Sequence, residues 1–445
     1  MLDFTHKDAP HYELTRQGLA WQRGVAARYP AAIAKPRSVD EVIGAVTFAS
    51  ENDLTIGVRS GGHSWGSSFL ADGGLVIDMS AMNALAINRQ NKTAIAQPGV
   101  TNAAFQAGLG REGLAFPVGH CSEVALGGYL LAGGLGWNSR CWGPAAMSVS
   151  AIEVMTADGT SVRADDRRNQ DLLWLARGAG SGFPGVVTSF ELTLKDRPER
   201  VSMRELSFEI EKIRPVSEWL EHITETLPPW IEVEVKFTKR DGEGSGLITV
   251  TAVAFLPIGP TRDQGLEAFD TSGTVSPLHR SAPVEVDIAA LHAHTDSYYV
   301  KDRYYRAEVF ATGLRFGDLL RRSAELFSSV PSGESFFLAG NNPDSPEPID
   351  AAFSLEGRSF LACYELERRP IQRAATGWLD GVVACLGAAT VGRYVGEADL
   401  ETGRWPASAS FSAAAWPRVC ALRRSLDPHG RFRAPPSWET TAVPR

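Results

Sequence analysis

Apolar positions change their spacing along this chain, and each change marks an element. Val42, Ile43, Val46 and Phe48 recur at helical intervals behind Ser38-Val39-Asp40-Glu41. That tetrad is a capping box, in which Ser38 satisfies one backbone donor and Glu41 reaches back to another, so a helix to about Glu51 is predicted. Thr55 to Arg59 then reads as a short strand delivering Ser60-Gly61-Gly62-His63, and Leu75 to Met79 as a second strand. A hairpin over Leu85 to Ala96 and a helix over Thr101 to Gly113 follow. Ala151 to Val162 reads as strand, turn and strand, with Asp158-Gly159 at the turn. A helix over Gln170 to Ala176, a glycine-rich turn over Gly178 to Gly185 and a strand over Val186 to Leu194 complete this stretch.

Asp196-Arg197-Pro198-Glu199-Arg200 marks a boundary, beyond which strands dominate. Glu232-Val233-Glu234-Val235-Lys236-Phe237 alternates strictly, and Leu247 to Phe255 carries a similar pattern, as expected of a sheet with one wet face. Helical spacing returns over Val216 to Thr226 and Phe316 to Phe327, and the proline-rich Ala339 to Pro348 reads as a loop.

The stretch Phe116 to Gly136 holds Gly119, Gly127, Gly128, Gly133, Gly134 and Gly136. In a helix interior each glycine costs about 0.5–1 kcal/mol, so this density suits backbone lying against a ligand. Tight glycine turns also gather N–H groups into concavities that bind phosphate oxygens. Arg59 to Gly62, Gly127-Gly128, Gly133-Gly134 and Gly178 to Gly182 are candidates for that role.

Composition narrows the reading. The 445 residues suffice for two or three domains. Lys and Arg number 44 against 52 Asp and Glu, a net charge of −8, which argues against a nucleic-acid footprint. No apolar run has the length of a membrane span, and the polar first residues lack the apolar core of a signal peptide, so a cytoplasmic protein is expected. Five scattered cysteines without a CxxC pair argue against a disulfide framework or a structural zinc site. His292 and His294 would share one side of a strand, but no acid or cysteine cluster joins them, and they read as ordinary polar residues. Gly180-Ser181-Gly182-Phe183-Pro184-Gly185 fits a dinucleotide fingerprint in letters only: it follows a helix and precedes a strand, the reverse of the required context. A P-loop motif is absent.

Arg59-Ser60-Gly61-Gly62-His63-Ser64, followed by Gly119-His120-Cys121, carries a resemblance to a family. So do Gly178-Ala179-Gly180-Ser181-Gly182 before its strand, Asp302-Arg303-Tyr304-Tyr305, and the closing Leu426-Asp427-Pro428-His429-Gly430-Arg431-Phe432. The chain resembles the FAD-linked oxidases of the vanillyl-alcohol oxidase/PCMH superfamily, in the berberine-bridge-enzyme-like branch, over nearly its whole length. The resemblance implies an 8α bond from FAD to His63 and a 6-S bond to Cys121. The chemistry agrees, because isoalloxazine is electrophilic at both positions, and a neutral imidazole and a thiolate are nucleophiles able to bond there. Two tethers would raise the flavin potential and hold the ring in an open site.

The resemblance further implies an α+β fold of PCMH type. Residues 1–198 would form the FAD-binding domain, 199–385 an inserted sheet-and-helix substrate domain, and 386–445 the return to the first. Arg59, Ser60, Gly61, Gly62, Ser64, Val124, Gly127, Gly128, Tyr129, Gly133, Gly134, Gly180, Gly182 and Val187 would contact the cofactor. Tyr129 stands where a histidine is common, and Val124 holds the position that gates oxygen. Trp65 replaces a frequent tyrosine. In Gly392-Arg393-Tyr394-Val395-Gly396-Glu397, a carboxylate takes the place of the family's substrate-side tyrosine. Glu397 is therefore the expected general base, with Tyr394 and Tyr305 beside it and Trp65, Arg303 and Tyr304 on the substrate. The expected reaction is two-electron oxidation of a C–O or C–N centre in an oligosaccharide or secondary metabolite, with O2 as acceptor and H2O2 as product. A dehydrogenase using another acceptor and a silent flavin-binding protein are the alternatives. Neither a metal, a nucleic acid nor a membrane is expected to take part.

Overall fold

The computed structural model describes residues 2–240, 244–258, 265–342, 349–371 and 377–439. Its first sheet runs Phe4–His6, Ala32–Ala34, Leu75–Asp78, Ile56–Arg59, with the last two strands parallel. The helix Val39–Glu51 covers it, burying Val42, Ala45, Val46 and Ala49. Ser38 Oγ caps the N–H of Glu41 at 3.3 Å. The other half of the predicted box differs: Glu41 Oε2 accepts from the N–H of Arg37, one residue earlier than the cap.

The second sheet is antiparallel, in the order Leu85–Asn88, Thr93–Ala96, Val186–Thr193, Val149–Met155, Ser161–Asp165. The Asp158-Gly159 turn forms as predicted, with the Asp158 carboxylate accepting from the N–H of Thr160. The helix Asn102–Glu112 is capped by Thr101 and ends at Gly113, whose φ is 67°. The chain's end returns to the first sheet: Ile56 and Arg431–Arg433 exchange backbone hydrogen bonds of 2.7 and 2.9 Å. Asp427 accepts from the N–H groups of Arg431 and Phe432, both at 2.7 Å, which sets the direction of that return.

A third sheet of nine strands begins at Arg200, and all its pairs are antiparallel. Its central strands are Gly246–Leu256, Ile231–Lys239, Phe336–Asn341, Ser359–Glu367 and Tyr304–Thr312. The helices Ile213–Thr224 and Phe316–Phe327 pack on one face, against Val233, Val235 and Phe237. Three expectations change here. Ala339 to Asn341 belong to a strand, because they pair with Phe360 and its neighbours; residues 343–348 of the predicted loop lie outside the described residues. His292 and His294 sit on the helix Ile288–Asp296, not on a strand, and His292 bonds Gly119 O at 3.0 Å. The last strand, Thr390–Arg393, pairs with Tyr304–Thr312, so this sheet extends past residue 385. Its other face is not washed by solvent. It closes over the second sheet, and one apolar cluster runs continuously from Phe105 and Phe190 to Phe336 and Tyr364.

Candidate active site

Between the glycine turns and the large sheet lies a cavity of about 1320 Å³. That exceeds the ~300–1,000 Å³ usual for one small ligand and leaves room for a large cofactor and a substrate together. His63 and Cys121 both line it. The His63 ring stacks on Trp21 with centroids 5.0 Å apart, and its Nε2 is sealed from solvent without a hydrogen bond. Burial pulls its pKa down to about 4, so the imidazole is neutral, as a nucleophile must be. Cys121 meets the opposite influence: burial, then the carboxylates of Glu397, Asp296 and Glu234, push its thiol up. The protein alone therefore does not favour the thiolate that the sequence chemistry calls for.

The glycines divide into two kinds. Gly61, Gly62, Gly127, Gly128 and Gly180 line the cavity with Arg59, Ser60, Ser64, Val124, Tyr129 and Val187. Gly133, Gly134 and Gly182 stand just behind that lining. A Cβ there would lie 2.2 Å from the Phe353 ring, 2.8 Å from Ala145 Cβ and 1.9 Å from the Trp438 ring, so packing explains their small size. Gly128 is the reverse case, exposed in the wall with no atom within 4 Å of where its Cβ would stand. Ser181 Oγ, buried in the same wall, has no hydrogen-bond partner. Arg59 is spent on the turn itself, donating to Leu19 O at 3.0 Å and Asp78 at 2.8 Å. Tyr129 donates its hydroxyl to Pro117 O at 2.6 Å. A glycine cradle, an unpartnered hydroxyl and a neutral buried imidazole fit FAD, which the turns and the wall holding His63 and Cys121 would receive.

Glu397 stands in the same cavity. Its Oε2 accepts from Tyr364 Oη at 2.8 Å and Trp65 Nε1 at 3.2 Å. Burial raises its pKa above the ordinary glutamate value, and these two donors only partly oppose the rise. Tyr394 lines the cavity, with its oxygen hydrogen-bonded by the backbone of Leu135 and Gly134. Tyr305 is set behind the site: its hydroxyl is held by the N–H and C=O of Val300, at 2.7 and 3.0 Å, and its ring stacks on Trp65 at 4.9 Å. It positions Trp65 and does not face the cavity. Arg303 and Tyr304 are also absent from the lining. Arg303 is paired with Glu334 at 2.8 Å, and Tyr304 lies under the Arg23 guanidinium at 5.5 Å, so neither is placed to receive an anionic group.

Among the lining residues that the sequence analysis did not single out are Tyr364, Glu232 and Glu234. Tyr364 on Ser359–Glu367 faces the cavity at alternate register with its buried neighbours. Glu232 and Glu234 occupy the strand face expected to be wet, and burial in the cavity roof raises each to about 7. The backbone N–H groups of Asn138, Arg140 and Ser139 hydrogen-bond Glu232 and limit its shift. Strict alternation was the available signal, but it reports a polar face and not what that face meets.

Comparison with known proteins identifies the cofactor. Residues 30–165 match the FAD binding domain family. The chain is 31% identical over 373 residues to an FAD-linked oxidoreductase of Penicillium crustosum, covering 81% of this chain and 80% of that protein. It is 27% identical to the xylooligosaccharide oxidase of Thermothelomyces thermophilus, over 93% and 88% of the two chains. The fold matches BBE-like 1 of Physcomitrella patens with a TM-score of 0.83 at 19% identity, covering 99% of this chain and 97% of that one. Among the described residues, no helix is long and apolar enough to cross a membrane. With the cradle, the neutral imidazole and the large cavity at the family's matching segment, the chain belongs to the FAD-linked oxidoreductases of the berberine-bridge-enzyme-like fold.

Proposed function

We propose that this oxidoreductase is an oxidase of small molecules, holding FAD through bonds to His63 and Cys121 and using Glu397 as its general base. FAD held there would supply the two-electron acceptor for a carbon bearing oxygen or nitrogen, with O2 as the final acceptor and H2O2 as product. The chain's residues do the rest. Residues 1–198 and the C-terminal return cradle the cofactor, and the large sheet forms the substrate wall. Glu397 accepts the substrate's O–H or N–H proton, while Tyr364 and Trp65 keep its carboxylate turned into the cavity. Tyr394 acts from the cavity wall, anchored on the glycine turn, and Tyr305 acts from behind through Trp65.

The observation that carries this reading is Glu397 itself, a half-buried carboxylate with two side-chain donors on one oxygen in the cofactor's cavity. A base must be deprotonated, so its raised pKa places the loss of activity on the acid side, at a higher pH than a solvated glutamate would give. Anaerobic flavin reduction by any competent substrate should slow about 100-fold or more in Glu397→Gln, within the ~10²–10⁴-fold typical of a general base. The acid limb of the profile should vanish with it. A variant reduced at the normal rate would assign the proton to another group.

A further inference from the structure

The roof of the cavity holds a carboxylate that the proposed chemistry leaves unused. Glu234 lines the cavity, yet its side chain makes no hydrogen bond or ion pair with any described residue. The groups facing it from neighbouring elements do not balance its charge. Glu232 is two residues away on the same strand face, held by backbone N–H groups. Glu205, on Arg200–Glu209, lies 3.7 Å from His294 Nε2 and accepts from Thr251 at 3.3 Å. Lys236 is the ammonium of this group, and its Nζ sits 3.3 Å above the Tyr298 ring. Burial holds His294 towards its neutral form, and the Tyr298 and Tyr299 hydroxyls and the Cys121 thiol are likewise uncharged. Lys236, and Arg140 beside Glu232, thus stand as two cations against three carboxylates, and neither forms an ion pair with Glu234. A buried carboxylate is costly unless it is both paired and hydrogen-bonded. Hydroxyl donors would meet the second need and leave the charge excess, whereas an ammonium meets both. Trp137, Tyr299 and Tyr364 line the same cavity, and aromatic faces attract cations.

We propose that Glu234 is the recognition point for a protonated amine on the substrate. The enzyme then selects an amine-bearing molecule over a neutral polyol of similar size. The inference rests on the oxidase reading only in taking the cavity's occupant as substrate, and it holds whichever group removes the proton.

The test is binding without turnover, in the anaerobic FAD-loaded protein, followed by the flavin absorbance and by tryptophan fluorescence. The probes are benzylamine, which is protonated at neutral pH as lysine is, benzyl alcohol and benzoate. Benzylamine should bind about tenfold or more tighter than benzyl alcohol, with benzoate weakest. Glu234→Gln should remove the amine's advantage and leave the alcohol's affinity unchanged, and Glu234→Asp, which keeps the charge, should retain most of it. Equal affinity for amine and alcohol in the unaltered protein would overturn the proposal. So would an amine advantage that survives in Glu234→Gln. Failure of Glu397→Gln to slow flavin reduction would count against the base and leave this binding result standing.

Discussion

His63 and Cys121 illustrate how one cavity can prepare two nucleophiles unequally. Desolvation leaves the imidazole neutral at any pH above about 4, so it is ready to attack without help. The thiol is held protonated by the same burial and by nearby carboxylates. If both bonds form, acid-precipitated protein should stay yellow, each single alanine variant should keep one tether, and the double variant should release FAD. Attachment through Cys121 alone, in His63→Ala reconstituted with FAD, should quicken by about tenfold per pH unit, since thiolate is the attacking form. Rates that ignore pH would detach the thiol from the chemistry. Val124, half-buried in the same wall, is a second residue whose side chain decides an outcome. Val124→Leu adds one methylene towards the cavity and should slow reoxidation by O2 at least about tenfold with little change in flavin reduction, readable by stopped flow.

At the level of elements, glycines serve two different ends. The turn at Gly178 has φ of 133°, and a Cβ there would lie 2.0 Å from the backbone nitrogen of Phe353, which bonds Arg177 O at 2.7 Å. This turn docks the 351–353 segment. Gly178→Ala should therefore cost roughly 2–5 kcal/mol, visible as a lowered denaturation midpoint. Gly128 sits in the helix Leu126–Leu131, facing open cavity. Alanine there relieves the helix of about 0.5–1 kcal/mol of glycine cost while filling part of the cradle. Gly128→Ala should leave the apoprotein as stable as before, or more so, and lower the fraction of chains that carry FAD. Absorbance at 450 nm against protein concentration, beside a thermal melt, separates the two effects.

Over the whole molecule, distant segments meet in a buried ion cluster behind the site. Glu401, 3% exposed, pairs with Arg28 at 2.7 Å and with Arg433 through both oxygens at 2.9 and 2.7 Å. The N-terminal segment, the stretch leaving the large sheet and the C-terminal return are thereby joined at one carboxylate. Removing its charge strands two guanidinium groups, and Glu401→Gln should cost about 3–5 kcal/mol of stability. The same closure of the large sheet turns the polar strand face into a cavity roof, where Glu232 and Glu234 are buried.

Sequence alone determined the local elements here, because each rests on neighbours within a few residues. The period of Val42, Ile43, Val46 and Phe48, the Ser38 cap and the Asp158-Gly159 turn act over one or two turns of chain. It also pointed to FAD, since the RSGGHS turn and the glycine-rich stretch lie within the segment that matches the FAD binding domain. What it could not determine were contacts across tens to hundreds of positions. Arg303 looks available for an anion until Glu334 meets it, Gly182 looks like a phosphate turn until Trp438 fills its space, and Glu234 looks wet until another sheet covers it. Periodicity says which face is polar; only the packing of one layer against the next decides whether water or a substrate stands against that face.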